Sequence, residues 1–236
     1  VEPVIKLVFM LITLVSATPF EIQPTLDHLN EKATKKSENL YIMDKLQIRT
    51  LVTGVGMTLT ALQMGLYLAK EEPDLVINVG VAGALNPILE LGEVVHLISD
   101  RFGDLGVEEV DGSFLDVHEL GLIKGNDDPF QKGILHNKAA DEFEFLPKVH
   151  GITVNTVHGY QSSITAFKKQ FNADVETMES AAFFLACLQT KNSFLAIRSI
   201  SNYVEPRNRK SWKLGLAIDN INQVLIEILN NLRAKN

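Results

Sequence analysis

Glu21, Glu179 and Asn202 are the side chains whose types and neighbours could do chemistry. Glu21 ends Ala17-Thr18-Pro19-Phe20-Glu21, Glu179 sits in Val175-Glu176-Thr177-Met178-Glu179-Ser180, and Asn202 closes Arg198-Ser199-Ile200-Ser201-Asn202. A carboxylate can act as a general base when it lies within hydrogen-bond reach of the proton it takes. Ionised, it only accepts hydrogen bonds, whereas an amide both donates and accepts. The glycine-rich turn Asn78-Val79-Gly80-Val81-Ala82-Gly83 adds backbone N–H groups near the same sheet edge. Each feature also has an ordinary reading. A glutamate in a helix's first turn is favoured by the dipole alone, which covers Glu179 and, after Pro19, Glu21. Asn202 could simply make a turn, and Gly80 and Gly83 could serve a tight strand-to-helix connection. The turn holds no Gly-x-Gly-x-x-Gly, so a dinucleotide loop is not indicated.

The elements that must position these residues are legible from periodicity. Short β-branched runs between turn signals predict strands at Ile12–Val15, Leu75–Val79, Val94–Ile98, Ile152–Val157 and Phe194–Arg198. Helical spacing predicts a helix with Leu59, Leu62, Leu66 and Ala69 on its apolar face, after a Gly54-Val55-Gly56 turn. A second helix carries Met178, Ala181, Ala182, Leu185 and Leu188, and a long last one carries Leu214, Ala217, Ile218, Ile221, Val224, Leu225, Ile228, Leu229 and Leu232. Strands alternating with helices imply a three-layer α/β/α domain with a mixed, largely parallel twisted sheet. Ligands collect at the carboxyl ends of strands in such folds. The segment from Phe102 to Phe145, rich in Asp, Glu, Gly and Asn and punctuated by Phe114, Phe130, Phe143 and Phe145, is expected to be a substrate-covering loop.

At 236 residues the chain fits one domain with a sizeable core. The formal net charge of −7 argues against nucleic acid or an anionic membrane as partner, leaving small ligands. Cys187 is the only cysteine, which excludes an internal disulfide and a cysteine metal cluster and suggests a buried core thiol in a reducing cytoplasm. No His-Glu-x-x-His occurs, so neither a metal nor a cofactor is expected. The apolar run Leu7–Val15 followed by Ser16-Ala17-Thr18 superficially resembles a secretory signal, but it is too short to span a bilayer. A buried first strand is the preferred reading, with residues 1–9 as an upstream extension if Met10 is the start.

Taken together, Ala17–Glu21, Gly54-Val55-Gly56, Asn78–Gly83, Gly92-Glu93-Val94-Val95, Val175–Ser180 and Arg198–Asn202 resemble the nucleoside phosphorylase superfamily in its nucleosidase branch. The order is the family's and spans nearly the whole length. Ala17–Glu21, Asp104-Leu105-Gly106-Val107-Glu108 and above all Ser201–Arg209 are most similar to the futalosine hydrolase family of menaquinone biosynthesis. The resemblance implies a single nucleoside phosphorylase-like domain, a homodimer, and release of hypoxanthine from futalosine. It places Glu21 as the water-activating base, Glu179 on the ribose hydroxyls, Met178 against the sugar and Asn202 at the base. A carboxylate below the sugar would also stabilise an oxocarbenium-like transition state.

Two departures from the wider family refine this. Phosphorylases hold phosphate with an Arg at the position of Asn78 and a Ser at that of Val81; an amide and an isopropyl group cannot, so water is the expected nucleophile. Nucleosidases for 6-aminopurines place an Asp where Asn202 stands. An amide is no strong acid but donates to a ring nitrogen or a 6-oxo group, which suits hypoxanthine. Arg207 and Arg209 are candidates for a substrate carboxylate, with a solvated loop as the alternative; His158 and His136 are left without a role. The competing expectations are a methylthioadenosine/S-adenosylhomocysteine nucleosidase, a phosphorolytic purine enzyme, and a nucleoside-binding protein without catalysis.

Overall fold

The structure is a computed structural model describing residues 9–138 and 144–235. Phe143 and the upstream residues 1–8 lie outside the described residues.

The first apolar run forms β1 (Met10–Ser16), which pairs in parallel with β4 (Leu46–Val52) on one side and β5 (Leu75–Ala84) on the other. Helices cover β1 on both faces, so both faces are apolar, which is why the run reads as continuous. β2 (Thr34–Ser37) and β3 (Leu40–Met43) extend the β4 edge in antiparallel fashion. The other side is built from β6 (Val94–Asp100), β11 (Lys148–Thr153), β12 (Val175–Thr177) and β13 (Phe194–Tyr203). There the pairings close on themselves: β5 with β12, β12 with β11, β11 with β6, and β13 with both β6 and β5. The sheet is mixed, with parallel pairing where β4, β1, β5 and β13 lie side by side.

Helices cover both faces. α1 (Pro19–Lys32) and α5 (Leu214–Lys235) lie on one, where Ile22, Leu29, Ile221 and Leu225 pack on Ile12, Leu14 and Ile77. α2 (Met57–Leu68) and α4 (Ser180–Thr190) lie on the other, where Met64, Phe183, Phe184 and Cys187 pack on Val15, Val76 and Ala196. Neighbours Val76 and Ile77 go to opposite faces, as the two-residue strand period requires. Each such side chain contributes about 1.5–3 kcal/mol by leaving water. α3 (Gln161–Gln170) and the strand-like segments near it form a smaller cluster around Phe167 and Phe171.

Several expectations are corrected. The residues 78–83 are not a turn but the second half of β5, paired with β13 through Tyr203↔Ala84. Gly80 and Gly83 have ordinary φ, so their role is close approach rather than a sharp bend. The strand expected at Ile152–Val157 is β11, shifted towards Lys148; the Val154 N–H still bonds Thr177 O of β12, and the Asn155 N–H then leaves the ladder for the Asp104 carboxylate. α2 exists, but Leu59, Leu62 and Leu66 face outward and Met57, Thr60, Met64 and Leu68 face the core. Its sequence is apolar nearly all round, so spacing alone could not choose the face. The 102–145 segment holds a hairpin, β7 (Gly106–Glu108) with β8 (Phe114–Asp116), and two short strands at the sheet edge, β9 (Phe130–Gln131) and β10 (Ile134–His136). Phe114 packs on Phe171 and Phe130 on Phe102, and Arg101 donates to Asp116 at 2.6 Å. Its described residues therefore build onto the scaffold.

Candidate active site

β1 and β13 run parallel to β5 and β12 runs back against it, which brings the predicted residues together along the second half of β5. After β1, Thr18 caps α1 and Glu21 stands at its third position, where Glu21 Oε2 accepts the Thr18 N–H at 2.9 Å and the Thr18 hydroxyl at 3.0 Å. This is a capping box, so the ordinary reading of Glu21 is true of one oxygen. The other is not needed for the cap. Glu21 Oε1 faces β5, 3.4 Å from the Val81 N–H. A Cβ on Gly80 would sit 2.9 Å from it and 3.5 Å from Arg198 Nε, so only glycine leaves this space open.

Glu179 sits at the N-cap of α4, just before its first turn, and Oε1 accepts the Gly56 N–H at 2.9 Å. Gly54 and Gly56 have φ of 87° and 94°, a left-handed bend that glycine tolerates and that turns this N–H outward at the start of α2. Burial pushes the Glu179 carboxyl above its ordinary value, and the nearby Glu21 charge adds to this; the Gly56 N–H and Arg198 oppose it. Met178 beside it is half-buried.

Arg198 joins the two glutamates, and the sequence reading missed it as a functional group. It is 1% exposed on β13, directly opposite Gly80 of β5. Its guanidinium donates to Asn78 O at 3.3 Å, Ile197 O at 2.8 Å, the Asn78 side-chain oxygen and Ser180 Oγ at 2.8 Å. Burial lowers its pKa, while Glu179, Glu21 and Asp100 hold it up as counter-charges. Nε has no partner among the described residues and borders the gap left by Gly80. A buried, unpaired N–H is costly unless something else accepts it. The signal was present: a lone cation inside Phe194-Leu195-Ala196-Ile197 must be paired. Asn78 does not face a ligand. Its amide donates to Val15 O at 3.1 Å and accepts from Arg198.

Asn202 is not beyond the strand but within it. A β-bulge between Ile200 and Asn202 shifts the register so that Asn202 lies opposite Gly83. Such a bulge re-aims a side chain. Its oxygen accepts the Ser201 hydroxyl at 2.8 Å, and its NH₂ donates to Tyr203 O at 3.0 Å. Asn202 lines a pocket with Gly83, His158, Glu176, Arg207 and Trp212. Arg207 lies over the Trp212 ring at 5.5 Å; Arg209 is exposed in a short 3-10 turn (Arg209–Ser211) and does not line the pocket. Gly80 and Gly83 are separated by roughly 10 Å of strand. One end therefore carries two carboxylates around a buried cation, the other an amide-lined pocket. A sugar with a fused-ring base attached fits that layout. Val81, between them, contributes its N–H rather than a hydroxyl.

Comparison with known proteins identifies relatives along nearly the whole chain. A family model described as "Phosphorylase superfamily" matches residues 11–230. The chain is 26% identical over 208 residues to a 5'-methylthioadenosine/S-adenosylhomocysteine nucleosidase of Colwellia psychrerythraea, covering 82% of this chain and 83% of that one. Among solved structures, the nucleosidase of the same name from Neisseria meningitidis, in complex with methylthio-immucillin-A, superposes with a TM-score of 0.73 at 20% identity, over 94% of this chain and 100% of the other. Native futalosine hydrolase of Helicobacter pylori superposes with a TM-score of 0.75 at 15% identity, over 94% and 98%. At such identities these two structures establish the shared fold.

Proposed function

The chain belongs to the phosphorylase superfamily, and on that premise we propose that it hydrolyses the N-glycosidic bond of a purine nucleoside. The observation that carries this reading is the convergence of Glu21, Glu179 and Arg198 on the space beside Gly80. Glu179, held by the Gly56 N–H, accepts from the vicinal ribose hydroxyls, and Met178 packs on the sugar. Water sits between Glu21 and the anomeric carbon, with the free Arg198 N–H to orient it. Glu21 takes its proton. Both carboxylates stabilise the positive charge that grows on the sugar as the bond breaks. Phosphate fits poorly here: the guanidinium is already hydrogen-bonded to Asn78 and Ser180, and a dianion would meet Glu21 and Glu179.

The finer reading is futalosine, releasing hypoxanthine. It is supported by the Asn202 amide at the pocket, which can donate to a 6-oxopurine but cannot supply a strong acid. Of the two arginines considered for a substrate carboxylate, Arg207 lines the pocket beside Asn202 and Arg209 does not. The second reading, methylthioadenosine or S-adenosylhomocysteine as substrate, is supported by the names of the curated relatives. Incubation with futalosine, inosine and methylthioadenosine, with and without phosphate, separates them by the base released. Hypoxanthine without phosphate supports the first, adenine at a comparable rate the second, and strict phosphate dependence refutes hydrolysis. Glu21→Gln should abolish turnover and keep nucleoside binding; surviving turnover would exclude Glu21 as base.

The same reading includes a homodimer. Val55, Leu59, Leu62 and Leu66 are 50%, 45%, 54% and 52% exposed on α2 and the turn before it. A contiguous apolar stripe is an interaction surface by composition. It begins at Gly56, so a second copy seated there lies beside Glu179. Leu62→Glu should convert the dimer to monomer in sedimentation velocity; a wild-type monomer would refute the assignment.

A further inference from the structure

We infer that His158, held by the buried carboxylate of Glu176, is the acid that protonates the departing base; this rests on the nucleosidase reading above. When an N-glycosidic bond breaks, both electrons go to the base, and a purine leaves far more readily if a proton meets it. Asn202 cannot release one. Its NH₂ already donates to Tyr203 O, and its oxygen takes the Ser201 hydroxyl.

The opposite wall of the same pocket holds a group that can. Glu176 of β12 and Asn202 of β13 are both paired with Gly83 of β5, so the three stand level across neighbouring strands. Gly83 has no side chain, and a Cβ there would press on Val204 at 2.9 Å and Asn202 Nδ2 at 3.3 Å. The pocket is the room this glycine leaves between Glu176 and Asn202.

Glu176 is 3% exposed. A buried carboxylate is costly unless paired and hydrogen-bonded, and both of its oxygens go to one residue. Oε1 accepts the His158 backbone N–H at 3.1 Å, and Oε2 pairs with His158 Nδ1. The ring also rests on Phe167, centroid to centroid 4.1 Å. With Nδ1 committed to the carboxylate, the ring's other nitrogen, Nε2, is left for the pocket that His158 lines. A carboxylate on Nδ1 fixes the orientation of an imidazole, and the doubly protonated ring is the form that carries an Nε2 proton to give.

The step balances. The bond from the anomeric carbon to the base breaks and its electron pair moves into the purine. The Nε2 proton of His158 passes to a ring nitrogen of the base. Water bonds to the anomeric carbon and gives its proton to Glu21. The products are a neutral purine and a free sugar, and a proton returns from Glu21 to His158 through solvent.

Inosine and 7-methylinosine test this, because the N7-methylated base leaves as a neutral molecule and needs no proton. His158→Gln should lower kcat on inosine by about 10²- to 10⁴-fold, while its rate on 7-methylinosine changes less than about threefold, within the range of a lost non-catalytic contact. Glu176→Gln, which keeps the imidazole but removes its charge partner, should show the same selectivity with a smaller loss. Both variants are compared only as folded proteins with wild-type circular dichroism. Equal loss on both substrates, or no loss on either, overturns the inference and leaves the pair a structural clasp. Failure of the wild type to release base from any nucleoside overturns the nucleosidase reading itself, and this inference with it.

Discussion

Gly80→Ala should damage catalysis while leaving the fold intact. The new methyl carbon would lie 2.9 Å from Glu21 Oε1, against ordinary van der Waals contact from 3.4 Å. The backbone cannot easily retreat, since Gly80 is paired with Arg198 in the middle of a strand. The carboxylate must therefore give way by about 0.5 Å, enough to lose its long contact with the Val81 N–H. A misplacement of 1 Å at a reacting group can cost roughly 10²-fold, so half of that predicts a fall of about tenfold in kcat/KM. That equals about 1.4 kcal/mol of transition-state stabilisation. Stability should barely move. The displaced atom is the end of a flexible side chain, Gly80 has an ordinary φ, and alanine in a strand recovers about 0.5–1 kcal/mol relative to glycine. The assay is initial-rate base release beside a thermal melt. Wild-type activity would refute the placement of Glu21, and a collapsed melting temperature would mean that Gly80 serves packing instead.

Two further predictions concern groups away from the reacting atoms. Burial raises the Asp100 carboxyl to about 7, against the opposing Thr153 hydroxyl, Arg101 N–H and Arg198 charge. The folded chain thus keeps a proton that the unfolded chain has released; its stabilising effect is full below about pH 4 and is lost as pH rises to about 7. Asp100→Asn should therefore gain relative to the wild type between pH 5 and pH 8, by at most about 4 kcal/mol, in urea melts; a pH-independent difference would refute this. Cys187 is 0% exposed, and burial pushes its thiol well up. It should resist a disulfide-exchange reagent in the native protein and react fully on unfolding, whereas fast native labelling would contradict its placement.

Local patterns carried the sequence reading furthest. β1, α4 and α5 lie where period and composition put them, and Cys187 is buried as its apolar neighbours implied. Glu21 drew attention because it follows the first strand, and Glu179 because it opens a helix. What stayed hidden depends on distant partners. Arg198 read only as the end of an apolar strand, because its role needs Asn78, 120 residues earlier, and Ser180. The bulge that aims Asn202 leaves no mark in Arg198–Asn202. Gly80 and Gly83 read as a turn because glycine is most often needed for its dihedral freedom; here they are needed for what a Cβ would strike. The outward stripe of α2 was assigned inward because an isolated chain offers no second surface to claim it.

The closed ring of strands also makes the site depend on segments that lie far apart in the sequence. β13 completes it by pairing with β5 and β6, and it is the last strand among the described residues. Pairings of such separation carry a loop-closure cost that local contacts do not. Until β13 arrives, Glu21 has its cap and Asn78 its β1 neighbour, but the buried cation between the carboxylates is absent. A chain lacking β13 would thus hold the two carboxylates of the proposed site without the buried charge that lies between them.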